Sequence, residues 1–223
     1  MMARTPHDRS VRLLRVILVL TAGLLPVSVL VDATISQALV TWRPSGVEFA
    51  AQSLTRLGNG ALDIGLPWAM ALIGWWRGDR ALRVRGWLGG ATVAGAGLIQ
   101  ILLKNVACRA RPSAAGAGAF FSGFPCVPAE YAVASFPSGH ATTAFALATL
   151  LALWYPRGAI GFLGLAGVVG FTRVFLGAHF PSDVLAGAAL GTGVALIVHA
   201  KVPGVRRNEG EGIPSKGNGA GLR

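Results

Sequence analysis

Apolar runs and short polar segments alternate along the 223-residue chain. A helix needs about 20 mostly apolar residues to cross the hydrocarbon core of a bilayer, and six of the runs come close to that length. The six runs are residues 13–31, 57–76, 86–103, 138–155, 159–176 and 182–200. The pattern predicts an all-α protein, a polytopic membrane bundle of six transmembrane helices.

The segments outside the six runs complete the predicted domain organisation. Residues 1–12 form a polar N-terminal segment, residues 13–200 the membrane domain, and residues 201–223 a glycine-rich, charged tail that is predicted to be disordered. A signal peptide with a weak cleavage-like site at residues 31–33 is the alternative for the first run. That run is longer than the core of a typical signal peptide, which favours a retained span. Residues 48–57 are expected to form an amphipathic helix at the membrane interface.

Composition supports the membrane assignment. Hydrophobic residues make up 53% of the chain and charged residues 13%, and the mean hydropathy is +0.58, whereas an ordinary soluble domain has about 25% charged residues. The net charge is +11, but the basic residues lie at the ends of apolar runs and form no single stripe, so nucleic-acid binding is not expected. Of the 20 Lys and Arg residues, 14 fall on one side of the predicted bundle. That side, with both termini, is therefore predicted to be cytoplasmic, in a cell inner (plasma) membrane.

Most of the charge on the opposite, outer side lies in three short motifs, of which the first ends the third run. Lys104 and Arg111 are seven residues apart, about two helical turns, so both side chains are expected to point the same way. Pro112 suits a helix that ends nearby. Alone, this motif is equally typical of basic side chains that snorkel at a membrane boundary.

The second motif, Pro137-Ser138-Gly139-His140, opens the fourth run. Ser138 is a good helix cap, Gly139 lets a ligand approach the backbone, and the first N–H groups of a helix attract anions. His140 can exchange a proton near neutral pH. Alone, the motif would also fit an ordinary cap beside an incidental histidine.

The third motif joins the last two runs. Arg173 lies near the end of the fifth run, His179 just precedes the sixth, and Asp183 follows four residues later. A carboxylate at that spacing can accept a hydrogen bond from one imidazole nitrogen, which fixes the tautomer and leaves the other nitrogen free to attack. Alone, the pair would fit a capping aspartate and a surface histidine.

The three motifs are expected to meet, because the last four runs alternate in direction. Two histidines, one carboxylate and three fixed cations would then surround a helix N-terminus. Fixed cations and exposed N–H groups suit a phosphoryl group and the charge that builds on its oxygens during transfer. Two histidines suit a nucleophile and a separate general acid.

Together the motifs resemble the signature of the type 2 phosphatidic-acid phosphatase superfamily, which also contains the vanadium haloperoxidases. They read Lys-x6-Arg-Pro, Pro-Ser-Gly-His and Arg-x5-His-x3-Asp within residues 104–183, and the layout of runs extends the likeness over about 13–200. Thr172 stands where the family often has serine, and it keeps the hydroxyl. The resemblance implies the family's helical fold and an integral-membrane lipid phosphatase that uses neither a metal ion nor another cofactor.

The resemblance also implies a role for each motif residue. His179 would attack phosphorus, Asp183 would orient that histidine, and His140 would protonate the leaving oxygen. The phosphate would be held by Lys104, Arg111, Ser138, Gly139 and Arg173. Arg109 lies outside the family pattern and is expected to contact substrate or a lipid headgroup.

The implied substrate is a phosphate monoester or diphosphate of a lipid. Undecaprenyl diphosphate, phosphatidylglycerol phosphate, phosphatidic acid and lipid A all fit, as does phosphotransfer to another lipid at the same site. A small transporter is the alternative from another class, and it is disfavoured because the charges collect at one rim of the spans. The expected partners are the lipid substrate and membrane lipids, without nucleic acid, and the oligomeric state is left open.

Cys108 and Cys126 lie in the same polar segment and do not form a zinc-binding pattern. A disulfide is expected if that segment faces an oxidising compartment, and two unpaired thiols are expected otherwise. The sequence favours neither.

Overall fold

The computed structural model describes residues 6–42, 44–114, 116–122, 124, 126 and 130–201, with side chains from Val11 onward except that of Ser45. Seven α-helices contain most of these residues, and no strand occurs among them. The helices are α1 (Pro6–Thr41), α2 (Ser45–Thr55), α3 (Gly60–Trp76), α4 (Arg80–Ala107), α5 (Gly139–Trp154), α6 (Ala159–Phe175) and α7 (Pro181–Lys201). The all-α prediction is therefore confirmed for the described part of the chain.

Each of the six predicted runs coincides with a helix. Four stretches are long and apolar enough to cross a membrane: Val11–Thr41 in α1, Arg80–Ala107, Pro156–Phe175 and Pro181–Lys201. The apolar helix α5 is shorter, with 16 residues, and α3 has 17. The described helices thus make a multi-pass membrane protein, and the count of six spans stays a prediction.

Helix α5 forms the centre of the bundle and packs against α4, α6 and α7. Its buried residues are spread around the helix because neighbouring helices cover its faces. Gly187 and Gly191 allow α7 to approach closely: a Cβ at Gly191 would overlap the carbonyl oxygen of Thr142, and one at Gly187 would lie 2.6 Å from that of Ser138. This approach brings the N-termini of α5 and α7 side by side.

The remaining helices surround this centre. Helix α3 packs on α4, α1 packs along α7, and α2 packs on α6. Helix α1 continues to Thr41, ten residues beyond the predicted end of the first run. The expected amphipathic helix is present as α2. Of the predicted tail, only Lys201 falls in the described part, at the end of α7.

The segment after α4 differs from the prediction. Helix α4 ends at Ala107, and Cys108 takes a left-handed conformation with φ 42°. Arg111 is therefore not on the helix, and the prediction that Lys104 and Arg111 share a helical face is wrong. Backbone hydrogen bonds hold the segment instead, among them Ala110 N to Ala119 O at 2.9 Å and Arg111 N to Ala132 O at 2.9 Å.

The two cysteines form a disulfide. Cys108 and Cys126 are bonded, with their Cα atoms 5.9 Å apart. The bond ties the residue that ends α4 to the long loop before α5. Of the two alternatives that the sequence left open, the structure has the disulfide.

Candidate active site

The three motifs meet at one end of the bundle, where α4 and α6 end and α5 and α7 begin. Arg173, Lys104 and Arg111 come close enough to His140 for their charges to act on its imidazole. Arg111 also contacts His179 directly. The two candidate histidines therefore face a common group of cations.

His179 is held in the turn between α6 and α7, where its backbone N–H donates to the carbonyl of Arg173 at 3.2 Å. Its Nε2 atom lies 3.4 Å from Nη1 of Arg111, and its Nδ1 atom lies 3.5 Å from Oδ2 of Asp183. The second distance is longer than an ordinary hydrogen bond, but catalytic hydrogen bonds are often long before substrate binds. This geometry favours a proton on Nδ1 and a free lone pair on Nε2.

Burial controls the protonation of His179, whose side chain is 2% exposed. Burial, reinforced by the charges of Lys104 and Arg111, lowers the pKa of the His179 imidazole to about 3. The imidazole is therefore neutral at neutral pH. No proton has to leave Nε2 before that atom can act as a nucleophile.

Asp183, in the first turn of α7, is fully buried and has several donors. Its Oδ2 atom accepts from the Ser135 hydroxyl at 2.5 Å and from the Phe180 N–H at 2.8 Å. Its Oδ1 atom accepts from Nη1 of Arg109 at 2.6 Å. These contacts fix the carboxylate against the ring of His179.

Arg111 and Lys104 are oriented by backbone carbonyls. Arg111 donates to the carbonyl of Ala178 at 2.6 Å and to that of Tyr131 at 2.7 Å, and its guanidinium lies 3.8 Å from the centre of the Tyr131 ring. The carbonyl of Ala134 accepts from both cations, at 2.5 Å from Lys104 Nζ and 3.2 Å from Arg111 Nη2. Tertiary contact with this carbonyl, and not a shared helical face, brings the two cations together.

The N-terminus of α5 presents a buried hydroxyl that has no hydrogen-bond partner in the part of the chain that the structure describes. The Ser138 N–H donates to the carbonyl of Asp183 at 2.9 Å, while the Ser138 hydroxyl is buried and has no hydrogen-bond partner among the described residues. The side chain of Gln100 supports the turn by donating to the carbonyl of Pro137 at 3.2 Å. A Cβ at Gly139 would lie 3.2 Å from Oε1 of Gln100. An anion here would satisfy the buried hydroxyl and the first N–H groups of the helix.

Arg173 adds a further donor from the end of α6. Its Nη1 atom donates to the Thr55 hydroxyl at 3.0 Å, and its Nε atom is buried without a partner among the described residues. Because Thr55 ends α2, the packing of α2 on α6 orients this guanidinium. The unpaired N–H is suited to a phosphate oxygen.

Arg109 does not lie where the sequence analysis expected it. It is 2% exposed and binds Asp183 and Asp32, so the expectation of a contact with substrate or headgroup is wrong. Sequence reasoning also missed Ser135 and Gln100. Gln100, a polar residue one turn before Lys104 in an apolar run, carried a usable signal, whereas Ser135 and Asp32 carried none beyond being isolated polar residues.

Comparison with known proteins places this fold and site in a family. The sequence profile of the PAP2 superfamily matches residues 85–207, more than half of the chain, and the chain belongs to that superfamily. The described part of the chain contains no group of three His, Cys, Asp or Glu side chains placed to hold a metal ion.

Three relatives illustrate the similarity. A stretch of 114 residues, 50% of the chain, is 42% identical to the Lipid A 1-phosphatase of Rhizobium etli and covers 49% of it. Over 80% of the chain the identity to the decaprenylphosphoryl-5-phosphoribose phosphatase of Mycobacterium tuberculosis is 33%, covering 93% of that protein. The crystal structure of a transmembrane PAP2 type phosphatidylglycerolphosphate phosphatase from Bacillus subtilis matches with a TM-score of 0.61 and 26% identity, over 85% of this chain and 93% of that one.

The matches differ in extent. The chain spans about half the length, 49% and 43%, of the two Rhizobium lipid A 1-phosphatases that it resembles. The names of the relatives point to different lipids: lipid A, decaprenylphosphoryl-5-phosphoribose and phosphatidylglycerolphosphate. The family and the names support a phosphoester hydrolase in a membrane, without selecting a substrate.

Proposed function

We propose that this protein is an integral-membrane lipid phosphatase that hydrolyses a phosphate monoester or diphosphate of a lipid at the outer face of the plasma membrane. One observation carries the proposal: a buried, neutral His179 has Nε2 beside the guanidinium of Arg111 and Nδ1 facing the carboxylate of Asp183. Close by, the N-terminus of α5 offers the unpaired hydroxyl of Ser138. A nucleophile, its orienting carboxylate and an anion site thus occur together.

The first chemical step would transfer the phosphoryl group to the protein. The lone pair of His179 Nε2 forms the bond to phosphorus while the bond from phosphorus to the lipid oxygen breaks. His140, which the negative charge of the bound phosphate would keep protonated beside the cations, gives its proton to that leaving oxygen. Lys104, Arg111 and Arg173, with Ser138 and the N–H of Gly139, stabilise the charge on the three non-reacting oxygens.

The second step would regenerate the histidine. Water attacks the phosphorus of the phosphohistidine, and His140, now unprotonated, accepts a proton from that water. The bond from phosphorus to Nε2 breaks, and phosphate leaves. Asp183 would balance the positive charge that the phosphorylated ring of His179 carries.

An apolar groove beside the site supports a lipid substrate. The groove has a volume of about 370 Å³ and lies between α3, α4 and α5. Its lining includes His140 and Gly139 together with Ile64, Leu98 and Ile101. A phosphate at the helix N-terminus could therefore continue into an acyl or isoprenoid chain along this groove.

Two observations support the outer side for the site. The disulfide between Cys108 and Cys126 lies in the loop of the site, and disulfides persist in oxidising compartments. The excess of Lys and Arg falls on the opposite side. The proposal accordingly keeps six spans within residues 13–200, with the segments 1–12 and 201–223 in the cytoplasm.

The proposal is tested by phosphate release from a panel of lipids. Purified full-length protein in detergent, with EDTA present, should release phosphate from one or more of phosphatidic acid, phosphatidylglycerol phosphate, undecaprenyl diphosphate and lipid A. Vanadate, an analogue of the phosphoryl group in transfer, should inhibit the release. Activity that appears only when a divalent metal is added would overturn the mechanism. Recovery of phosphorylated acceptor lipid in place of free phosphate would identify a phosphotransferase.

A substitution in the groove should separate the binding of the lipid chain from the chemistry. Gly97 lines the groove, so a leucine side chain at this position would occupy space that the lipid chain needs. We expect Gly97→Leu to raise KM for a long-chain substrate by about 10-fold or more, because less of the chain could be buried in the groove. Its kcat for a soluble aryl phosphate should stay unchanged. Gly95→Leu is the matched control, since a side chain at Gly95 meets nothing within 4 Å. Equal effects of the two variants would show that the groove does not hold the chain.

A further inference from the structure

A second buried carboxylate is linked to the Oδ1 atom of Asp183, whereas the Oδ2 atom faces His179. Asp32, from α1, is 3% exposed and binds Nη2 of Arg109 at 2.7 Å. Nη1 of the same guanidinium binds Asp183 at 2.6 Å. Arg109 therefore links a carboxylate of α1 to the carboxylate that faces His179.

The N-terminus of α7 completes this arrangement. The backbone N–H of Ser182 donates to Oδ1 of Asp32 at 2.9 Å, and its hydroxyl donates to Oδ2 of Asp32. Nη1 of Arg109 also donates to the Ser182 hydroxyl, at 2.7 Å. Asp32 thus fixes both the guanidinium and the first turn of the helix that carries Asp183.

The environment leaves Arg109 little freedom. Its guanidinium lies between two aromatic rings, 4.4 Å from the centre of Phe180 and 4.6 Å from that of Phe120. Its Nε atom donates to the carbonyl of Gly118 at 3.3 Å. With donors used on every side, the group has a single orientation, and it cannot reach a substrate phosphate while these contacts hold.

The charges of the three side chains give the arrangement a chemical consequence. Arg109 alone beside Asp183 would neutralise the carboxylate, whereas Asp32 on the other side leaves the trio with one net negative charge. As Nε2 of His179 bonds to phosphorus, its ring becomes positively charged. A buried negative charge that exists before the reaction stabilises that ring more in the transition state than in the ground state.

We propose that Arg109 and Asp32 are positioning residues for the nucleophile: they hold Asp183 against His179 and keep the net charge behind the histidine negative. This inference rests on the proposed function, since it assigns a part in the attack by His179. It also gives α1 a direct connection to the site, through a residue outside the three sequence motifs.

The test uses two conservative variants of the full-length protein in detergent. Arg109→Lys keeps the charge but cannot bridge both carboxylates, and Asp32→Asn keeps the shape but removes the charge. Each should lower kcat by about 100-fold, the size of effect expected when a nucleophile is misplaced by about 1 Å. KM and the competitive Ki of inorganic phosphate should not change, because neither residue touches the phosphate.

Matched controls carry the same chemical changes at the opposite end of the bundle. Arg85→Lys alters a guanidinium that lies 5.8 Å from the ring centre of Tyr155, and Asp79→Asn alters the exposed cap of α4. Both should retain the parental kcat. Ser182→Ala is a milder variant that removes only a hydroxyl from the arrangement. If Arg109→Lys does not fold, Ser182→Ala replaces it in the experiment and should likewise lower kcat.

The outcomes separate this inference from the proposed function. Folded Arg109 and Asp32 variants with parental kcat, beside an inactive His179→Ala, would overturn the inference alone. A parallel loss of kcat and of phosphate affinity would also overturn it, because it would place Arg109 in contact with the substrate. An active His179→Ala would overturn the proposed function and the inference with it.

Discussion

Replacement of His179 with alanine is expected to abolish phosphate release, with a loss of at least about 10⁴-fold in kcat, as for the removal of a covalent nucleophile. The expected reason is geometric: the Nε2 atom beside Arg111 is the nucleophile in the proposed attack, and the described residues offer no second imidazole against Asp183. Rapid acid-free denaturation after mixing with ³²P-labelled lipid should trap a phosphorylated parental protein. The same treatment of the variant should trap none.

The controls for this prediction come from the chain itself. His199 lies near the other end of α7, so His199→Ala is the matched histidine variant and should keep the parental kcat. Thermal unfolding in detergent should show that His179→Ala remains folded. If the folded variant kept substantial turnover, or still trapped labelled protein, His179 would not be the nucleophile.

The sequence was sufficient to predict the candidate site because the groups that react in the proposal lie in contiguous motifs. The cations, the two histidines and Asp183 come in a fixed order at the ends of apolar runs, and alternation of the runs predicted that they meet. The order and approximate positions of the helices followed from the apolar runs, whereas some boundaries did not: α1 continues to Thr41, ten residues beyond the predicted end of the first run. The family assignment, which rests on these motifs, is confirmed by the match to residues 85–207.

The contacts behind the site could not be predicted, because they join residues that are far apart in sequence. Asp32 and Arg109 are separated by 77 residues, and Ser182 lies 150 residues after Asp32. No periodicity relates such positions, and a single carboxylate at the end of an apolar run is also what a membrane boundary would contain. The contact of Lys104 and Arg111 through Ala134 has the same origin, since it depends on a loop and not on a helical repeat.

Replacement of His140 with alanine is expected to lower kcat for a lipid phosphate by about 10²- to 10⁴-fold, the usual contribution of a general acid or base. The loss should depend on the leaving group. An alkoxide leaves poorly without a proton, so lipid substrates should show the full loss. A nitrophenolate leaves without protonation, so formation of the phosphorylated protein from p-nitrophenyl phosphate should be much less affected.

Rapid-mixing kinetics make this prediction distinct from that for His179. With p-nitrophenyl phosphate, His140→Ala should release a burst of nitrophenolate equal to the enzyme concentration and then turn over slowly, because hydrolysis of the phosphohistidine lacks its base. His179→Ala should give no burst. If His140→Ala lost the same factor with both substrates and gave no burst, His140 would serve to bind phosphate, as Arg173 and Lys104 do in the proposal. The burst thus separates a histidine that moves protons from one that only adds to the group of cations at the N-terminus of α5.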